Sequence, residues 1–179
     1  MQQLIMRWKN DGKPIQDFQI SENCRITNFS ELDNALDKWL DIIQYGLSNG
    51  RKDKEAYVSA MLSRDNYEEN KCFFILENEL AVATLTVICD YAKKEGYIHM
   101  VACKETSRGK GYGTLLNNIA LYTLKTEGMQ TAYLTTDDWR VPAIKSYLRA
   151  GFEPDLSTED FNNRWNKIFK EIGKCETRQ

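Results

Sequence analysis

Gly96-Tyr97-Ile98-His99-Met100-Val101-Ala102-Cys103, a polar segment over 104–107, then Arg108-Gly109-Lys110-Gly111-Tyr112-Gly113 and a helix-patterned run to Lys125 set the reading of this chain. An apolar strand feeding a glycine-rich turn that opens a helix suits phosphate groups. The first N–H groups of a helix lack intrahelical partners, and the helix dipole favours negative charge there. Glycine adds close backbone approach and tolerates positive φ. The loop misses both common nucleotide templates. A Walker A loop needs Gly-x-x-x-x-Gly-Lys-Ser/Thr, a spacing absent from 109–114. The dinucleotide fingerprint needs a third glycine where Thr114 stands, and glycines directly after the strand, where 104–107 intervene.

Working outward, the upstream half mixes two textures. Leu4, Met6 and Trp8 alternate with more polar neighbours and Asn10-Asp11-Gly12 follows, which predicts a short strand or hairpin. Arg25-Ile26-Thr27 suggests the next strand. Ser30 reads as an N-cap for a helix carrying Leu32, Leu36, Trp39, Leu40, Ile43 and Leu47, ended by Gly46 or Gly50. A second helix is expected over 53–63. Residues 72–76 and 80–88 are strand-like runs joined by Glu77-Asn78-Glu79, a hairpin turn, and Lys93-Lys94-Glu95-Gly96 reads as a charged turn. Downstream, Leu116, Ile119, Ala120, Thr123 and Leu124 share a helix face, and Gly128 follows as a helix stop. Ala132-Tyr133-Leu134-Thr135 is a strand, Pro142 opens a helix ending before Gly151, and an amphipathic helix spans 159–172. Antiparallel strands followed by strand–helix–strand–helix predict an α/β fold of the α+β type, with a mixed sheet in one domain over 1–179.

Composition narrows the function. A net charge of −2 without a basic run argues against nucleic acid. No apolar run reaches membrane-spanning length and no signal peptide opens the chain, so a cytoplasmic protein is expected. Cys24, Cys72, Cys89, Cys103 and Cys175 are scattered, which suits reduced thiols rather than a disulfide framework or a zinc site. With one histidine in the chain, a metal centre is not expected. Exposed strand edges would suit a homodimer.

Arg108, Gly111 and Gly113 satisfy Arg/Gln-x-x-Gly-x-Gly/Ala, and a second block follows from Leu134 through Thr135-Thr136-Asp137-Asp138-Trp139-Arg140-Val141-Pro142-Ala143 and Tyr147 to Gly151-Phe152. On these two blocks, over roughly 25–154, the sequence resembles the GNAT superfamily of N-acetyltransferases. The resemblance implies the GNAT fold, with antiparallel N-terminal strands and helices on both faces of the sheet. It departs from the family in having Cys103-Lys104-Glu105 where Val-x-Pro is frequent, and Arg140 where many members place Asn.

The resemblance implies transfer of an acetyl group from acetyl-CoA directly to an amine. It places the pyrophosphate on the backbone of Gly109, Lys110, Gly111, Tyr112, Gly113 and Thr114, with Arg108 adding charge. The pantetheine arm would pair with the strand backbone at Val101, Ala102 and Cys103, where an N–H group could also stabilise developing negative charge. Tyr147 matches the tyrosine that protonates the departing thiolate. Packing on Ala143, Ile144 and Leu148 is its simpler reading.

His99 shares strand parity with Tyr97, Val101 and Cys103 and is the candidate base, against the simpler reading of a satisfied core histidine. Asp137 and Asp138 read either as bases or as partners of Arg140 and the following helix. Asp41, Asp53 and Glu55 either attract a cationic amine or form a solvated face, and the acceptor stays open over 36–70. The rival reading is a CoA-binding or regulatory module without turnover.

Overall fold

Leu4, Met6 and Trp8 are buried while Arg7 and Lys9 face solvent, so the N-terminal alternation does produce a strand, β1 (Leu4–Lys9). The computed structural model describes residues 2–14, 18–44, 46–48 and 50–176, the last three by backbone alone; the Cys175 side chain lies outside these. Strand β1 does not fold back as a hairpin. The turn after it closes locally, with the Gly12 N–H on Asn10 Oδ1 at 3.0 Å. The strand instead pairs antiparallel with two segments far along the chain, Thr131–Thr136 and Glu153–Pro154.

The remaining elements are β2 (Cys24–Asn28), α1 (Ala35–Ile43), α2 (Lys54–Tyr57), β3 (Cys72–Glu77), β4 (Leu80–Asp90) and β5 (Glu95–Cys103). They continue with α3 (Tyr112–Thr126), β6 (Thr131–Thr136), α4 (Val141–Arg149), β7 (Glu153–Pro154) and α5 (Glu159–Glu176). All the strands join one mixed sheet in the order β2-β3-β4-β5-β6-β1-β7. Pairing is antiparallel except between β5 and β6, which run parallel because α3 carries the chain across between them.

Helix α1 starts later than Ser30. Asn28 Oδ1 instead accepts from the Ser30 and Glu31 N–H groups, holding a turn, and Asn34 in the left-handed region at φ 53° precedes the helix. The helix ends at Ile43, before Gly46 and Gly50. Asp53 caps α2 through the Ala56 N–H at 2.9 Å, and a π-helical turn, Val58–Leu62, continues it. The β3–β4 connection is a two-residue turn in which Asn78 and Glu79 both have positive φ, matching the right-handed twist of the strands.

Gly96 belongs to β5 rather than to a turn. A Cβ built there would meet Leu124 Cδ2 at 2.0 Å, so this glycine lets α3 lie close on the sheet. Gly128 follows α3 at φ 75°, where the Met129 N–H reaches Leu124 O and the Gly128 N–H reaches Lys125 O, the double bond of a Schellman stop.

Two apolar clusters divide along the strand alternation. Phe74 and Leu76 join Trp39, Ile42, Tyr57 and Met61 from α1, α2 and the π turn. Ile75, Leu85, Ile98 and Leu134 join side chains of β1, α3, α4 and α5, including Leu116, Leu124, Ile144 and Trp165. Helices thus cover both faces, as the family resemblance implies.

Candidate active site

The sheet opens at its parallel pair. The β5–β6 ladder runs from Glu95 opposite Thr131 to Ile98 opposite Leu134 and stops there. On its other side β5 stays attached to β4 through a bulge, because Thr86 faces His99 and Thr84 faces Ala102, leaving Met100 and Val101 opposite Leu85. Met100 takes φ 51°, outside the extended region. One edge of β5 beyond Ile98 therefore has no ladder partner in β6, and its backbone groups are available to a ligand.

The bulge also changes which way side chains point. Val101 and Cys103 pack with Ile98 against the α3 cluster, whereas Met100 and Ala102 pack on the α1 side. His99 bonds to Ala60 on that same α1 side. The simple alternation that grouped His99 with Val101 and Cys103 fails here, because one inserted residue reverses the parity.

A cavity of about 590 Å³ fills the opening. One end is the glycine loop, with Arg108, Gly109, Gly111, Tyr112, Gly113 and Thr114 on its wall. Gly109 and Gly111 have φ 79° and 85°, and no atom lies within 4 Å of where their Cβ atoms would stand. An anion can therefore approach this backbone without a side chain in the way. Gly113 faces Ser146 at Cβ distance 3.6 Å, and Ser146 Oγ accepts from Asn117 Nδ2 at 2.9 Å, so the first turns of α3 are held against the body of α4. The Lys110 side chain turns elsewhere, binding both carboxylate oxygens of Glu77 at 2.9 Å. Arg108 reaches Glu105 at 3.3 Å and remains about half exposed.

Val101, Ala102, Cys103 and Tyr147 also line the cavity. The Tyr147 ring packs edge-on to Phe152 at 6.3 Å and is 7% exposed. Burial pushes its phenol up to about 12 against the opposing Arg140 charge. Among the described residues no group hydrogen-bonds to its hydroxyl. The ring is buried but the hydroxyl is not sealed off among the packed side chains, so it meets the cavity and is placed to bond a ligand.

His99 is enclosed. Its Nε2 lies 2.9 Å from the Ala60 carbonyl, which can only accept, and this assigns the ring proton to Nε2. Nδ1 then accepts from the Tyr97 hydroxyl at 3.1 Å, and Tyr97 in turn faces Thr135 Oγ1 at 3.4 Å. Burial lowers the imidazole pKa to about 4, with the Arg64 charge adding to the shift. The ring is neutral at pH 7, with its lone pair behind the Tyr97 hydroxyl. Tyr97, Thr135 and Arg64 also line the cavity. Tyr97 was readable as the same-face neighbour two residues before His99; Arg64, just past a π turn, carried no sequence signal.

The carboxylates near the cleft are committed. Asp137 accepts from Arg140 Nε at 2.9 Å and from Gln3 at 3.1 Å. Asp138 is held by the buried Arg164, which lowers its pKa. Arg140 lies over the Trp139 ring at 4.5 Å and donates to the Gly46 carbonyl, tying the β6–α4 loop to the segment after α1. Asp41 pairs with Lys104 and Lys52, and Asp53 with Arg51.

Comparison with known proteins agrees with this layout. Residues 36–152 match the acetyltransferase (GNAT) family. Among solved structures, a GCN5-related N-acetyltransferase from Sphaerobacter thermophilus superposes with a TM-score of 0.67 at 18% identity, over 87% of this chain and 50% of that one. This chain thus spans half the length of that protein. An acetyltransferase from Streptococcus agalactiae gives 0.62 at 18% identity, covering 77% of this chain and 88% of the other. The ribosomal-protein-S18-alanine N-acetyltransferase from Escherichia coli gives 0.59 at 17%, covering 73% and 77%. A search of curated proteins returns no match. At these identities the structures establish the fold, and the family match spans most of the chain, including the glycine loop and Tyr147: the chain belongs to the acetyltransferase (GNAT) family.

Proposed function

We propose that the chain is one catalytic domain that transfers an acetyl group from acetyl-CoA to an amine. The observation that carries this reading is the opening between β5 and β6, whose cavity is lined by both the glycine loop open to an anion and the unpartnered Tyr147 hydroxyl. The residues suit a polyanionic thioester. Arg64, Arg108, Arg140 and Arg149 line the cavity, and among the described residues no Asp or Glu does.

Bound acetyl-CoA supplies the activated acyl group and a thiolate leaving group. The backbone of residues 109–114 and the Arg108 charge hold its phosphates. The unpaired edge of β5 at Val101, Ala102 and Cys103 orients the arm and offers an N–H group to the charge that develops on the acyl oxygen. Tyr147, protonated at neutral pH, gives its proton to the departing sulfur. His99 takes part through Tyr97: a proton leaving the attacking nitrogen passes to the Tyr97 oxygen while the Tyr97 proton moves to His99 Nδ1.

The test is release of free CoA thiol from acetyl-CoA across a panel of small amines, amino acids and peptides. Tyr147→Phe should lower kcat by roughly a hundredfold with acetyl-CoA affinity nearly unchanged. Equal turnover in the two proteins removes Tyr147 from the mechanism. Acetyl-CoA binding with no thiol release across the panel points instead to a non-catalytic CoA-binding module.

A further inference from the structure

The acceptor end of the cavity is cationic, which bears on the amine it takes. Arg64 lies on this wall with Tyr97 and His99, and among the described residues no carboxylate pairs with it. Its position is built. The π turn Val58–Leu62 ends by leaving the Ala60 carbonyl to His99 Nε2–H, and the Arg64 N–H returns to Met61 O at 3.0 Å. The turn that presents Arg64 is thus pinned to β5 beside the cavity. Arg140, also on the cavity wall, is already bonded to Asp137 and Gly46.

Sites for polycationic amines need carboxylates, but Asp41 is tied to Lys104 and Lys52 and Asp53 to Arg51, and neither Asp37 of α1 nor Glu55 of α2 lines the cavity. An unpaired guanidinium is the complementary device. Its planar fork matches an oxyanion, most directly a carboxylate. Positive charge beside the amine also favours the neutral, nucleophilic form over the ammonium. That helps where no carboxylate is at hand to deprotonate it. One cavity of about 590 Å³ must receive both the thioester arm and the acceptor, so the part of the acceptor enclosed is small.

We infer that the acceptor is a small amine bearing an oxyanion, with Arg64 binding the oxyanion and the amine directed toward Tyr97; a free amino acid is the simplest member. This rests on the acetyl-transfer reading of the same cavity. Transfer forms the N–C bond, breaks the C–S bond and sends the amine proton toward Tyr97 and His99, while the thiolate takes the Tyr147 proton.

Two measurements on the intact chain test it. In the first, thiol release is compared for an amino acid, its carboxamide, the decarboxylated amine, an aminoalkyl phosphate and spermidine. The carboxylate or the phosphate should exceed its uncharged counterpart in kcat/KM by at least about tenfold, and which of them leads identifies the oxyanion. Arg64→Gln should erase that ratio. In the second, calorimetry compares an N-acetyl amino acid with its N-acetyl amide on the CoA-loaded protein. The acid should bind tighter in the wild type and no tighter in Arg64→Gln.

Turnover that favours spermidine or ignores the oxyanion overturns the inference and leaves acetyl transfer standing. Binding preference for the acid without turnover of any amine overturns acetyl transfer and leaves the oxyanion site standing. No preference in either measurement overturns the inference.

Discussion

His99 shows how one side chain's surroundings redirect its role. In the unfolded chain an imidazole titrates near 6.5; in the fold, burial, helped by the Arg64 charge and opposed by the bond to Ala60, keeps it neutral down to about 4. Between those values the unfolded state binds the extra proton, so stability falls as pH drops from 6.5 toward 4 and is complete above 6.5. The loss at the acid end is about 3 kcal/mol for this residue. Urea unfolding at pH 7 and pH 4.5 should show wild type losing more stability than His99→Asn over the same interval. Equal losses would mean His99 is not shielded as described. The same shift predicts that a neutral-range limb in the pH–rate profile belongs to the acceptor amine rather than to His99. Tyr147 stood out only through the family-like block it shares with its helix, since its helical neighbours Ala143, Ile144 and Leu148 read equally as packing. The direction of the His99 side chain was not, because it depends on Met100 leaving the extended region.

At the scale of elements, the parallel pair β5–β6 and helix α3 form the scaffold of the cleft. Leu124 packs over Gly96 and beside Ala132, so the helix sits against the paired part of the strands just before they separate. Gly96→Ala forces the fully buried Leu124 off its position and should destabilise the protein by about 1–3 kcal/mol. Denaturant unfolding checks this, and an unchanged midpoint would show that Leu124 can move without cost. The sequence pattern placed Gly96 in a turn because Lys93-Lys94-Glu95 precede it; the reason for the glycine is a helix some thirty residues away. Helix α3 itself was readable from end to end, since its glycine-rich start and its Gly128 stop are local signals.

For the whole molecule, the N-terminal strand is the closing piece. Strand β1 lies between β6 and β7, and Arg164 of α5 joins the Gln2 carbonyl to Asp138 and Asp160. The strand therefore ties the loop before α4 and the C-terminal helix into one body, although it lies outside the 36–152 family match. Removing residues 1–9 takes Leu4, Met6 and Trp8 out of the core, at about 1.5–3 kcal/mol each. That is comparable with the 5–15 kcal/mol by which such domains are stable. The truncated chain should lose its cooperative urea transition and its cofactor binding. A folded truncation that still binds acetyl-CoA would show β1 to be an accessory strand.

The sequence by itself determined the glycine-rich loop, the helices on either side of the cleft, the β3–β4 hairpin and the mixed sheet. These follow from periodicity, glycine placement and turn chemistry, which act over a few residues. Tertiary structure alone decided where β1 pairs, which face His99 presents, why Gly96 is glycine, and that Arg64 rather than an acidic residue lines the cavity beside His99. Each of these depends on contacts between segments distant in the chain, where strand register and close packing outweigh local preference.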